Sequence, residues 1–239
     1  MTKFAILGYG KMGKEVEKIL LSRQDEIVAR IDNEEDWRQQ WDQFLTADVA
    51  IEFSMPSVAV GNFKKCFDNH IPLVAGTTGW YDHQEEVLDY CRECKGSFVF
   101  GSNFSIGVNI FFKLNELLAN IMKNQDTFQV SIEETHHITK KDAPSGTAIH
   151  LAQIIEKQYN NRIDVPIESF RLTDVPGIHK VTYQSENETV ELTHTAKNRV
   201  ELAKGAVKAA LWLLQHPGIY DFKEIALEIS GQVSGVSGQ

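Results

Sequence analysis

Over the first hundred residues, short apolar runs alternate with stretches in which apolar positions recur at helical spacing. The runs cover residues 4–7, 27–31, 49–53, 73–75 and 98–100. Each is too short for a helix and apolar on both faces, which is how a strand buried in a parallel sheet reads. Between them, residues 11–21, 57–68 (with Pro56 near the first position) and 83–95 carry helical patterns. Five strands separated by helices predict a doubly wound α/β unit with a parallel sheet.

From residue 107 the pattern changes. Val108, Phe111, Phe112, Leu114, Leu117, Leu118 and Ile121 recur at mixed three-and-four spacing and predict one long helix over 107–124. A different order follows: a strand over 128–134, a polar loop, a helix over 145–158, and strand segments over 169–172, 178–184 and 189–195. Glu186-Asn187 makes a turn between the last two. A helix over 199–214 stops at Gln215-His216-Pro217-Gly218, and residues 220–229 read as a further helix ahead of a Gly/Ser/Val-rich tail over 231–239, expected to be loose. This second part reads as an α+β domain. The pattern changes over between the two parts near residue 106.

Composition changes this picture little, except by exclusion. The 239 residues carry 24 Lys+Arg and 33 Asp+Glu, a formal net charge of −9. That balance argues against a sequence-independent nucleic-acid partner and against an anionic membrane surface. No apolar run approaches the roughly 20 residues of a bilayer span, and the amino terminus lacks a signal-like apolar core. Cys66, Cys91 and Cys94 are an odd count, which suits a reducing compartment, so a cytoplasmic protein is expected. Cys91 and Cys94 form a C-x-x-C on a helical stretch with no second pair at zinc spacing, and no metal is expected there.

Candidate chemistry begins at Leu7-Gly8-Tyr9-Gly10-Lys11-Met12-Gly13, a G-x-G-x-x-G that closes the first strand and opens the first helix. In that position the first Gly permits the tight turn and the second lets backbone approach a pyrophosphate. The third lets helix and strand pack closely, and the helix N-terminus faces the anion. Asp32 ends the second strand about 20 residues on, where it can accept from an adenosine ribose. Together these point to a dinucleotide. The loops Gly76-Thr77-Thr78-Gly79 and Gly101-Ser102-Asn103 follow strands four and five, on the sheet edge where such ligands bind, and are further cofactor candidates.

The densest cluster of polar chemistry is Glu133-Glu134-Thr135-His136-His137-Ile138-Thr139-Lys140-Lys141-Asp142-Ala143-Pro144-Ser145-Gly146-Thr147-Ala148. Adjacent His136 and His137 in extended backbone point to opposite sides, so one can act on a proton while the other positions, and they do not share a metal. Lys140 is a cationic donor. Ser145 reads as a helix N-cap, which leaves the first-turn amides of Gly146 and Thr147 for an anion. The loop suits a substrate that bears negative charge and gains a proton.

These residues resemble the 4-hydroxy-tetrahydrodipicolinate reductase (dihydrodipicolinate reductase) family over nearly the whole length. The resemblance rests on Gly8–Gly13, Val49-Ala50-Ile51-Glu52-Phe53-Ser54, Gly76-Thr77-Thr78-Gly79, Asn103-Phe104-Ser105-Ile106-Gly107-Val108-Asn109, and the stretch from Glu134 to Ala148. It continues at Val175-Pro176-Gly177-Ile178-His179, Leu192-Thr193-His194-Thr195-Ala196 and Gly218-Ile219-Tyr220-Asp221-Phe222. It implies a Rossmann domain over 1–105 completed by the carboxyl-terminal segment of about 215–239, an α+β substrate domain over 106–214 whose sheet assembles a homotetramer, and NAD(P)H-dependent reduction of a cyclic imine dicarboxylate in diaminopimelate and lysine biosynthesis. By the same resemblance His136 and Lys140 are the proton donors. His137, Ser145, Gly146 and Thr147 bind substrate, and Gly76, Thr77, Thr78, Gly101, Ser102, Asn103 and Phe104 serve the nicotinamide side. The chain departs from the family pattern at Ile178, where Glu is usual, and at Thr173 or Asp174, where Gly is expected; Asn33 follows Asp32 where some members carry Arg. Asp25, Glu26, Asp32, Glu34, Glu35 and Asp36 crowd one stretch with Arg30 the one base among them. Such crowding disfavours a ribose 2′-phosphate, so NADH is expected to serve at least as well as NADPH, with Lys11 the nearby cation available to NADPH.

Overall fold

A computed structural model of the protein describes residues 1–173 and 175–231, so Asp174 and the tail from 232 lie outside the described residues. Two compact units emerge: Met1–Ile106 together with the chain from Arg199 onward, and Gly107–Asn198.

In the first unit β1 (Lys3–Leu7), β2 (Glu26–Ile31), β3 (Val49–Glu52), β4 (Leu73–Ala75) and β5 (Phe98–Phe100) form the expected strands. A sixth, β10 (Ile219–Asp221), joins them, and the order β10-β5-β4-β3-β1-β2 is parallel throughout. Alternate residues of β1 serve two cores. Ala5 and Leu7 face one with Phe63, Phe67, Trp80 and Phe98, whereas Phe4 and Ile6 face another with Val74, Val99, Ala206, Ala210 and Phe222. A sheet covered on both sides needs apolar residues on both faces, which is why its strands read as continuous runs.

The helices are α1 (Lys11–Ser22), α2 (Glu34–Phe44), α3 (Pro56–Asp68), α4 (Gln84–Glu93), α7 (Val200–Leu213) and α8 (Phe222–Ile229). Three of these revise the sequence reading. The acidic stretch hides α2: the Asn33 side chain accepts from the amides of Glu35 and Asp36, and Glu34, Glu35 and Asp36 form its first turn. There the acids face the positive end of the helix dipole. Helix α7, expected with the second domain, belongs to the first. Its buried small residues Ala203, Gly205, Ala206, Ala209 and Ala210 let it lie close on the sheet, and a Cβ at Gly205 would come within 1.7 Å of the Phe104 carbonyl oxygen. The single helix expected over 220–229 is a strand followed by a helix, because the Asp221 side chain caps α8 by accepting from the Lys223 amide while Ile219 and Tyr220 pair with Phe98 and Val99.

The second unit contains α5 (Ile106–Met122), β6 (Gln129–His137), α6 (Gly146–Gln158), β7 (Ile167–Leu172), β8 (Gly177–Gln184) and β9 (Thr189–Ala196). Its mixed sheet has the order β7-β6-β8-β9, with only β6 and β7 parallel. Phe111, Ile132, Leu151, Ile155, Val181 and Tyr183 centre its core. The turn at Glu186-Asn187 is closed by the Ser185 amide donating to the Glu188 carbonyl. Strand β6 continues past the expected end at Glu134 and carries His136 and His137 within it. Among the described residues, no helix is long and apolar enough to cross a membrane.

Candidate active site

In the first unit the β1–α1 turn has the geometry its glycines predict. Gly8 sits at φ +87°, and a Cβ there would lie 2.4 Å from the Phe53 carbonyl carbon. One at Gly13 would lie 2.3 Å from the Gly8 carbonyl oxygen, whereas nothing stands within 4 Å of one at Gly10. The turn is therefore tight at Gly8, packed at Gly13 and open at Gly10, the side from which a pyrophosphate approaches. Asp32 follows β2, and its Oδ1 accepts from the Tyr9 amide at 2.7 Å. The carboxylate is thus fixed beside the loop, where a ribose would meet it. Arg30 is committed elsewhere, its Nε donating to Glu17 at 2.6 Å.

A cleft of about 410 Å³ runs past Lys11, Met12, Ser54, Gly76, Thr77 and Thr78, with Phe53 and Pro56 as its apolar walls. Phe53, given no role from sequence, explains Gly76: a Cβ there would fall 2.0 Å from the Phe53 ring. Beneath the cleft the buried Glu52 accepts from the Ser54 amide at 3.0 Å and from the Ser54 hydroxyl. Burial pushes its pKa up, against those hydrogen bonds. Gly101 abuts Phe222. Phe104 is buried against Phe222 at 4.5 Å between ring centroids, so it offers only its backbone. Ser102 is exposed, and Asn103 turns its Oδ1 to the Ser105 amide.

In the second unit His136 and His137 diverge as extended backbone requires. His136 is buried; its Nδ1 lies 3.3 Å from the Pro176 carbonyl oxygen and its Nε2 3.2 Å from His179 Nε2. His137 is half-buried with its Nδ1 2.7 Å from Thr139 Oγ1. Glu134, two residues before His136 and therefore on the same face of β6, is fully buried. Its carboxylate accepts from the Ser145 amide at 3.0 and 3.1 Å, from the Ser169 hydroxyl at 2.8 Å and from Arg171 Nη2 at 3.3 Å. His136 Nε2 lies 3.4 Å from Glu134 Oε2.

Ser145 caps α6 as expected, its hydroxyl accepting from the Ala148 amide at 3.2 Å. That leaves the amides of Gly146 and Thr147 without an acceptor in the helix, and the space above Gly146 is open to 4 Å. Lys140 is not a bare cation: its Nζ donates to both Asp142 oxygens at 2.7 and 2.8 Å. Asp142 is largely exposed, with 57% of its side chain accessible. Such a pair is worth little, so an incoming carboxylate can replace it. Sequence reasoning did not single out Glu134 as the anchor of Ser145, or Ser169 and Arg171 on β7, and it quoted His179 on β8 only within a motif, with no role. These come from three strands, and only the parallel β6–β7 and antiparallel β6–β8 pairings bring them together.

The electrostatics follow from burial. Burial lowers the His136 pKa; the Pro176 carbonyl and the Glu134 carboxylate oppose this, while Lys140 and Arg171 add to it. His179 is pushed down to about 4 by burial, then by His136. Burial alone would raise Glu134, but its hydrogen bonds from Ser145 and Ser169 hold it below the usual range. The donor atoms of Glu134, His136 and His179 lie within 4.8 Å of one another. Cation-binding is nevertheless disfavoured, because the Arg171 guanidinium already neutralises the carboxylate from 3.3 Å. The cluster is a set of buried titratable groups joined by hydrogen bonds.

A depressed imidazole pKa means that the unfolded chain takes up the proton first. Stability present above about pH 6.5 is therefore lost as the pH falls towards the folded value of about 4, by up to about 3 kcal/mol for His179. The expected result is a steep fall in melting temperature of the wild-type protein between about pH 6.5 and about 4, and a shallower one for His179→Leu. Parallel pH profiles for the two would refute the assignment.

Residues 2–104 match the amino-terminal region of dihydrodipicolinate reductase, and residues 107–226 match its carboxyl-terminal region. The chain belongs to the dihydrodipicolinate reductase family. A 4-hydroxy-tetrahydrodipicolinate reductase of Christiangramia forsetii is 42% identical over 236 residues, covering 94% of this chain and 98% of that one. One of Methanoregula boonei is 32% identical, with the same two coverages of 94% and 98%. Among solved structures, a dipicolinate-bound dihydrodipicolinate reductase from Paenisporosarcina sp. TG-14 matches with a TM-score of 0.79 at 23% identity, covering 94% of this chain and 99% of that chain. That likeness is one of fold.

Proposed function

We propose that the protein is an NAD(P)H-dependent oxidoreductase that converts 4-hydroxy-tetrahydrodipicolinate to tetrahydrodipicolinate in diaminopimelate and lysine biosynthesis. Family membership over both halves of the chain supports the reaction. The observation that carries the chemistry is a buried imidazole, His136, linked through Glu134 and His179 to Ser145 at the start of α6, whose first-turn amides at Gly146 and Thr147 lie open. A dicarboxylate needs the open amides, and a reduced imine needs a proton from the imidazole.

The cofactor site fits an NAD(P)H pyrophosphate at Gly8–Gly13, where the space above Gly10 is open. Bound there, the nicotinamide supplies the hydride. Tyr9, Lys11 and Met12 line the pyrophosphate loop, Asp32 takes the ribose, and Gly76, Thr77, Thr78 and the backbone of Gly101–Phe104 serve the nicotinamide side. In the second unit the Ser145 hydroxyl and the amides of Gly146 and Thr147 hold one carboxylate, His137 and Lys140 attract the other, and Lys140 stands with His136 as a proton donor. His136 delivers a proton from Nε2, since Nδ1 is held by the Pro176 carbonyl. Three free cysteines, two of them buried, suit a cytoplasmic setting. Exposed Phe170 and Leu172 on β7 and Val190 on β9 suit a sheet that assembles a homotetramer.

Purified protein is expected to oxidise NADH or NADPH only when supplied with the freshly made condensation product of pyruvate and aspartate semialdehyde. Absence of any substrate-dependent rate with either cofactor would sink this reading. The NADH preference also stands as a proposal. Asp32 is fixed at the ribose corner and Arg30 is held by Glu17, so a 2′-phosphate meets a carboxylate and no spare guanidinium. The expected kcat/KM with NADH is at least that with NADPH, measured side by side; a strong NADPH preference would overturn it.

A further inference from the structure

The proton-handling cluster contains one imidazole with no role so far. His179 lies at its centre: its Nε2 stands 3.2 Å from His136 Nε2 and also 3.2 Å from Ser145 Oγ. Strand β8 builds the surroundings of the His136 ring. Pro176 just before it supplies the carbonyl at Nδ1. Gly177 leaves the space for the ring, since a Cβ there would lie 2.9 Å from His136 Cε1.

The hydrogens can be placed by accounting for donors and acceptors. A carbonyl oxygen only accepts, so His136 Nδ1 carries a hydrogen, and neutral His136 presents a lone pair at Nε2. His179 Nδ1 is buried and, among the described residues, has no partner. A hydrogen on that atom would bury an unpaired donor and leave two lone pairs facing each other between the rings. A hydrogen on His179 Nε2 avoids both costs. It then has two acceptors at equal distance, one on the proton donor and one on the residue that starts α6.

We propose that His179 is a positioning residue that couples the proton donor to the substrate-holding helix start: its Nε2–H bonds the His136 lone pair when His136 is neutral and turns to Ser145 Oγ when His136 is protonated. The protonated His136 turns its own Nε2–H to Glu134 Oε2, 3.4 Å away. Ser145 Oγ already accepts the Ala148 amide. A second donor fills its remaining lone pair and directs the hydroxyl hydrogen outward, to the anion held by Gly146 and Thr147. Once His136 has given its proton to the substrate, the His179 N–H returns to His136 and the hydroxyl is released. Substrate is thus held best while the donor is loaded, and product less well. No charge passes through His179, which stays neutral throughout; the other ionisable groups acting on it are Glu134, His194 and Lys140.

The inference rests on the roles proposed for His136 and Ser145, but its first test does not need the reaction. Long-range ¹⁵N–¹H NMR of the substrate-free wild-type protein above about pH 7, where both imidazoles are neutral, is expected to show His179 as the Nε2–H tautomer and His136 as the Nδ1–H tautomer. A His179 hydrogen on Nδ1 overturns the proposal, whether or not the protein reduces the imine. The second test compares His179→Gln, which keeps an N–H donor, with His179→Leu, which does not. His179→Leu is expected to lower kcat at least ~10-fold and raise the KM for the imine, with the KM for NADH unchanged, while His179→Gln stays within about threefold of wild type. Equal activity of the two variants, at either level, overturns the coupling role. Should His179→Leu fail to fold, the tautomer measurement decides alone.

Discussion

Replacing His136 by Gln, or Lys140 by Ala, is expected to slow imine reduction by at least ~10²-fold while leaving the KM for NADH nearly unchanged. The geometry gives each loss its own signature. In His136→Gln the new amide keeps an N–H donor in the space beside Gly177 but has no proton to release at neutral pH, so kcat should fall with little change in the KM for the imine. Removal of Lys140 leaves the Asp142 carboxylate without the partner that it meets at 2.7 and 2.8 Å. The pocket then loses a positive charge and exposes a negative one, so the KM for a dicarboxylate should rise as kcat falls. Adding Asp142→Asn to Lys140→Ala should recover part of the KM and none of the kcat. Steady-state rates of these variants beside the wild type check this, and wild-type turnover in His136→Gln or Lys140→Ala would remove the role assigned to that residue.

The second large effect is expected at Gly8. An alanine there must hold φ near +87° with its Cβ 2.4 Å from the Phe53 carbonyl carbon. The left-handed conformation alone costs about 1–2 kcal/mol, and the crowding roughly a further 1–3. At about 3 kcal/mol in all, the melting temperature should fall by roughly 5–10 °C, and NADH binding should weaken because the loop that presents its amides has moved. Gly10→Ala makes the control. Its Cβ meets nothing within 4 Å, so stability should hold while NADH affinity falls, the methyl group now standing where the pyrophosphate approaches. If Gly10→Ala bound NADH as tightly as wild type, the pyrophosphate would not lie over this turn.

The acidic stretch after β2 shows how a local pattern can carry two meanings. As charge, it argues for a ribose without a 2′-phosphate. In the structure Glu34, Glu35 and Asp36 also begin α2 beneath an Asn33 cap, with Trp37 and Phe44 turned into the core. The cap, the acids and the aromatic spacing are all visible in the sequence, but the density of charge masks the periodicity. Asp25 is likewise engaged, accepting from the Thr2 amide and from Arg23. Asp32, bonded to the Tyr9 amide, is the acid fixed beside the glycine turn.

What the sequence determined by itself was local: strands whose two apolar faces require a covered parallel sheet, a glycine turn whose steric demands leave few conformations, an N-cap at Ser145, and the divergence of His136 from His137. Each of these depends on neighbours within a few residues, so short-range sterics and hydrogen bonding suffice. Tertiary structure decided the rest. It assigned α7 to the first unit, because small side chains gain by close packing against a sheet that lies far away along the chain. It joined β10 to the sheet edge, where pairing with β5 supplied the hydrogen bonds that a first helical turn would otherwise leave unmade. It also surrounded His136 with Pro176, Gly177 and His179 from β8 and set Arg171 of β7 against Glu134. Burial there lowers the imidazole pKa values, and burial is a property of the packed sheet that no single stretch of this sequence contains.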